Sequence, residues 1–144
     1  MIGLASPGAE IAAIPEGVEQ LQLTFHDIAG PQPGLQPVTA ADVERLLGFA
    51  ESWPATAPLL IQCWAGVSRS PAAAYAVGCA IRGAGEEAAL AAALRRAAPF
   101  ATPNRRLIAL ADAALGRDGR MIAAIAAIGR GAETSTGATF SLSV

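Results

Sequence analysis

The segment Pro58-Leu59-Leu60-Ile61-Gln62-Cys63, followed by Trp64-Ala65-Gly66-Val67-Ser68-Arg69 and then Ser70-Pro71-Ala72-Ala73-Ala74-Tyr75, constrains this chain more than any other. Its first part is short and almost wholly apolar, as a buried parallel strand reads. Its last part opens a helix, with Pro71 in the first turn, where a missing N–H costs nothing. A strand that passes through a tight loop into a helix packs that helix back on its own sheet, so a layered α/β arrangement is implied.

The rest of the chain agrees. The opening Met1-Ile2-Gly3-Leu4 and the run Gln20-Leu21-Gln22-Leu23-Thr24-Phe25 read as strands, the second alternating apolar and polar with period two. Pro7-Gly8 and Pro15-Glu16-Gly17 mark turns between them. A Gly/Pro-rich loop spans Asp27 to Pro37. Thr39 then reads as a helix N-cap answered by Asp42, with a helix to about Trp53 whose buried face carries Val43, Leu46, Leu47 and Ala50. Further helices are expected over Glu86–Ala97, Asn104–Leu115 and Asp118–Ile128. The expected fold is α/β, a mostly parallel central sheet flanked by helices, with the Cys63 loop between a central strand and a helix N-terminus. Residues 1–128 make one domain, and the Gly/Ser/Thr-rich tail 129–144 is expected to be loosely ordered.

Composition narrows the chemistry. The chain has 144 residues, and one domain typically takes roughly 100–200. Net charge is −2 and every one of the ten basic residues is arginine, so no broad basic face for nucleic acid is expected. Alanine is the largest single part of the 53% hydrophobic content, and Arg82, Arg95, Arg117 and Arg120 interrupt each long apolar stretch, so no membrane span is expected. The N-terminus has no basic region ahead of an apolar one, so no secretory signal is expected, and the protein reads as cytoplasmic. Two cysteines, Cys63 and Cys79, are too few for a disulfide framework or a cysteine-rich zinc site. With His26 the single histidine, chemistry needing several imidazoles is excluded, and no metal or cofactor is expected.

What the Cys63 loop can do follows from its place. A loop entering a helix leaves backbone N–H groups without intrahelical partners, at the positive end of the helix dipole. Gly66 permits the positive φ that lets such a loop curl round a tetrahedral oxyanion. Arg69 can hold two phosphate oxygens at once and stays charged. Cys63 faces the same donors, and a helix N-terminus with a nearby arginine favours the thiolate form.

Cys63-Trp64-Ala65-Gly66-Val67-Ser68-Arg69-Ser70 resembles the Cys-x5-Arg-Ser/Thr P-loop of the cysteine-dependent protein tyrosine phosphatase superfamily, and C-x-x-G-x-S-R-S-P is most similar to its dual-specificity-like bacterial branch. The resemblance spans roughly Gln20 to Leu115, and only the loop is specific. It implies a phosphomonoester hydrolase working through a phosphocysteine intermediate on Cys63. Arg69 and the loop residues Trp64, Ala65, Gly66, Val67 and Ser68 would bind the phosphate, and Ser70 would assist the leaving sulfur. The substrate would be a phosphorylated protein or a small phosphomonoester, with phosphate or sulfate also able to sit in the loop. The family takes its acid from a loop upstream, where Asp27 stands directly after a strand; the plainer reading of Asp27 is a turn-initiating residue.

Other residues have two readings each. Trp64 lines the pocket rim or packs; Ser70 caps the helix as well as meeting the sulfur; Cys79 is core or a resolving thiol. Asn104-Arg105-Arg106 is a capped, solvated helix start or a second anion contact. Two departures from the family pattern stand out. Gln62 replaces the histidine usual before the nucleophile, and the chain opens with what reads as an interior strand, so that a first edge strand is expected to be missing. They motivate the alternative function, a non-catalytic module that binds phosphoproteins. An inositol-phosphate phosphatase fits less well, because Trp64 and Val67 stand where such enzymes carry lysine or glycine.

Overall fold

The computed structural model describes residues 1–9 and 16–144. Three strands, β1 (Ile2–Ala5), β2 (Leu21–Thr24) and β3 (Ile61–Cys63), form one sheet in the order β2-β1-β3, all parallel. Five helices accompany them among the described residues: α1 (Ala40–Ser52), α2 (Arg69–Arg82), α3 (Glu87–Ala97), α4 (Arg105–Ala114) and α5 (Arg120–Ile128). The α/β class and the interior position of β1 match the sequence reading. The turn at Glu16-Gly17 is present, with Gly17 at φ 82°, while Pro15 lies outside the described residues.

Register explains the core. Leu21, Ile2 and Ile61 stand side by side across the sheet, and Leu23, Leu4 and Cys63 form the next row. Side chains alternate faces along a strand, so both rows share one face. Leu4 and Leu23 are buried there with Phe25, Val43, Leu46 and Tyr75. The other face carries Gln22, Gly3 and Gln62, and β2 exposes Gln22 and Thr24 on it.

One expectation needs correction. The Pro58–Gln62 run reads as a central, buried strand, but β3 stands at the sheet edge, is only half-buried, and leaves Leu60 53% exposed. An apolar run matches a strand covered on both sides; among the described residues, no strand pairs with the outer side of β3.

The helix starts follow local chemistry. Thr39 caps α1 through a full capping box with Asp42, Asp42 N donating to Thr39 Oγ1 and Thr39 N to Asp42 Oδ2. Asp112 accepts from the N–H groups of Gly119 and Met121 and so joins the end of α4 to the start of α5. Glu87, buried at the start of α3, lies 3.6 Å from Arg117 and 3.5 Å from Arg120. The Tyr75 hydroxyl donates to the Glu87 carbonyl, and burial pushes the Cys79 thiol up to about 11. Cys79 is fully buried in this core.

The tail after α5 has no helix or strand, yet it touches the body at several points. Ala132 N donates to Pro99 O and Gly137 N to Ala65 O, while the Phe140 ring stands edge-on to Phe100 with centroids 6.4 Å apart. Phe140 and Leu142 pack on the hydrophobic core. No helix among the described residues is long and apolar enough to cross a membrane.

Candidate functional site

β3 delivers Cys63 to the mouth of a loop, Trp64–Ser68, that enters α2 at Arg69. Three carbonyls of this loop are held by bonds from outside it. Ala65 O accepts from Gly137 N at 2.7 Å, Val67 O from Thr102 N at 2.8 Å, and Ser68 O from Asn104 N at 3.3 Å as well as from Ala72 N. In a planar trans peptide the C=O and N–H point in opposite directions. Fixing those carbonyls outward therefore turns the N–H groups of Gly66, Val67's neighbour Ser68, and Arg69 the other way. None of the amides from Ala65 to Arg69 meets a protein acceptor among the described residues. Gly66, at φ 70°, supplies the left-handed residue this curl requires. The result is a run of unpaired donors at a helix N-terminus, the backbone arrangement that binds anions.

Cys63 belongs to the same unit. Its Sγ lies 3.2 Å from Ser70 Oγ and accepts from Ser70 N at 3.4 Å. Ser70 is buried in the first turn of α2, and Ser68, the N-cap residue, makes no side-chain cap. Its hydroxyl is used elsewhere.

Arg69 is 5% exposed, which for a guanidinium demands partners. Nη1 donates to Phe25 O at 3.0 Å and to Ser6 Oγ at 3.2 Å, while the buried Nε meets no acceptor among the described residues. The residues just after β1 and β2 thus hold the arginine through Nη1.

Asp27 follows β2 at the head of the Gly/Pro-rich loop, with its side chain exposed. Its Oδ1 accepts from Ser68 Oγ at 2.7 Å and from Asn104 Nδ2 at 2.7 Å. A carboxylate placed by sequence far from the nucleophile is therefore tied to the residue next to Arg69. His26 has a structural part. Its N donates to Gln36 O, and its Nδ1 accepts from Gln36 N, pinning the base of the Asp27 loop.

Trp64 is 84% exposed beside the loop, at a rim rather than in packing. Arg106 donates from Nε to Val38 O. Asn104 is the residue that sequence reasoning undervalued. Its Oδ1 caps α4 by accepting from Leu107 N, as its position predicts, but its Nδ2 also reaches Asp27. Ser6, Thr102 and Gly137 carry no motif and are brought to the loop by the fold alone. No group of three or more His, Cys, Asp or Glu able to hold a metal ion occurs among the described residues.

Compared with known proteins, the chain matches no family model, no curated protein and no solved structure.

Proposed function

We propose that the chain is a phosphomonoester hydrolase of the protein tyrosine phosphatase kind, with the corresponding fold, acting on a phosphotyrosine or dual-specificity protein substrate. The observation that carries this reading is the row of acceptor-free amides from Ala65 to Arg69 beside the Cys63 sulfur. A phosphoryl group seated on those donors would have its phosphorus beside Sγ, with the Arg69 guanidinium turning to meet its oxygens.

In the first step the Cys63 thiolate attacks phosphorus and the bond to the ester oxygen breaks. Asp27, tied to the loop by Ser68 and held by Asn104, gives its proton to the leaving oxygen. The product is a phosphocysteine. In the second step Asp27 takes a proton from water as the water oxygen attacks phosphorus, and the S–P electron pair returns to Cys63. Ser70, through its hydroxyl and its N–H, steadies the sulfur as negative charge reappears. A free-thiol mechanism of this kind fits a reducing compartment such as the cytoplasm.

The test is phosphate release from a generic aryl phosphate in the presence of a chelator, comparing the native protein with Cys63→Ser. Turnover that disappears in the variant supports the reading. Phosphate binding without turnover in the native protein moves the function to the non-catalytic module, for which Gln62 before the nucleophile is the motive.

A further inference from the structure

Among the described residues, β3 pairs on one side only, with β1. Ile2 N donates to Leu60 O at 2.8 Å, and Ile2 is the register partner of Ile61. In such a parallel ladder, Leu60 and Gln62 direct their peptide groups to β1, and Ile61 and Cys63 direct theirs to the opposite side. Those outward groups have no protein partner among the described residues. They open on a groove of about 730 Å³ between β3 and the C-terminal segment Gly137–Val144.

The groove is built like a vacant place in the sheet. One wall is β3 and the other is the tail, which holds Phe140 and Leu142 against the core. Ser70, Ala74 and Val77 make its floor, one face of α2 with small side chains. Its upper end is closed where Gly137 N meets Ala65 O.

The tail itself is a poor occupant. Extending an antiparallel ladder from the Gly137–Ala65 contact puts Thr139 opposite Cys63 and Ser141 opposite Ile61. Thr139 and Ser141 would then share the core face, and Phe140 and Leu142 would turn to the open face with Leu60. A period-two pattern cannot satisfy both, so the tail keeps its distance from β3. A separate strand in the groove has no such conflict: alternate apolar side chains would rest on Ala74, between Ile61 and Phe140.

Charge complementarity states the chemistry of the occupant. Among the described residues, no Asp, Glu, Lys, Arg or His side chain lines the groove, while Leu60 and Trp64 are exposed at its edge. We infer that this groove is a strand-addition site, taking an uncharged extended polypeptide segment with alternating apolar residues, in trans, as a fourth strand on the outer edge of β3. The inference does not rest on the phosphatase reading, although the groove shares Cys63, Trp64 and Ser70 with that site.

The experiment uses the full chain and a synthetic capped peptide of alternating Thr and Val. Backbone hydrogen exchange at Ile61 and Cys63, Trp fluorescence and Tm are followed as peptide is added. The expected result is slowed exchange at both amides and a higher Tm. Both effects should be lost with the same peptide N-methylated at alternate residues, and with Ala74→Arg, which fills the floor. Three outcomes overturn the inference: unchanged exchange at Ile61 and Cys63; binding indifferent to N-methylation; or protection of these amides by self-association without peptide, which would make a second copy the occupant. Activity of Cys63 enters none of these readouts.

Discussion

Asp27 and Asn104, distant in sequence, are joined by a 2.7 Å hydrogen bond from the Asn104 side-chain amide to Oδ1 of the carboxylate. The other end of the same amide caps α4 through Leu107 N. One side chain thus connects the start of a helix to the proposed proton donor.

The two duties of Asn104 separate by substitution. Asn104→Asp keeps a good cap but removes the donor and sets a second carboxylate against Asp27. Its Tm should fall at neutral pH and recover as the pair takes up a proton, while kcat for an aryl phosphate falls and the pH profile shifts. Asn104→Ala loses both, with about 1 kcal/mol of stability lost from the cap. Native kcat and an unmoved pH profile in Asn104→Asp would confine Asn104 to capping.

The tail reaches the loop through Gly137, where a Cβ would stand 2.3 Å from Phe100 Cε2 and 2.9 Å from Gly66 O. The backbone oxygen cannot swing away as a flexible side chain can. Gly137→Ala should therefore break the bond to Ala65 and free the segment beyond it. Faster exchange of the residue-137 amide and faster trimming by carboxypeptidase are the expected signs. Native behaviour in both assays would show that the tail contact contributes nothing.

Glu87 sets an acid limit on stability. Burial opposes its ionisation, but its own N–H, that of Gly85, and Arg120 outweigh burial and hold the carboxyl below its usual range. Its folded pKa is thus lower than the unfolded value of about 4.3, so its contribution is complete above that pH and disappears as pH falls towards the lower folded value. Glu87→Gln should flatten the fall in Tm at low pH. At neutral pH it should cost about 3–5 kcal/mol, because Arg117 is left buried without its counter-charge. Equal acid sensitivity in native and variant would reject this assignment.

The two cysteines should differ in reactivity. Cys79 is fully buried with its thiol pushed up to about 11, whereas Cys63 is half-buried at the end of β3. Brief iodoacetamide treatment of the folded protein near neutral pH should label Cys63 alone, and phosphate should slow it. Labelling of Cys79 at a comparable rate would contradict the packing described around Tyr75.

Features coded by neighbouring residues were legible in the sequence. The Thr39–Asp42 capping box and the strand–loop–helix at Cys63 each lie within a few residues, so pattern alone locates them. The edge position of β3 was not legible. Leu59, Leu60 and Ile61 read the same whether a fourth strand covers them or a groove does. Asn104 announces a cap, but its contact with Asp27 arises from packing α4 beside the end of β2. The small polar residues around Phe140 and Leu142 likewise hid the fact that these two side chains meet the core.

The most direct test of the proposed chemistry is to quench a reaction with an aryl phosphate in acid within the first turnover, then map the protein by mass spectrometry. The account predicts one added phosphoryl group, on Cys63, present in the Asp27→Asn variant and absent from Cys63→Ser. Aryl phosphate turnover with no phosphoryl group on Cys63 at any quench time, or with that group on another residue, would contradict it.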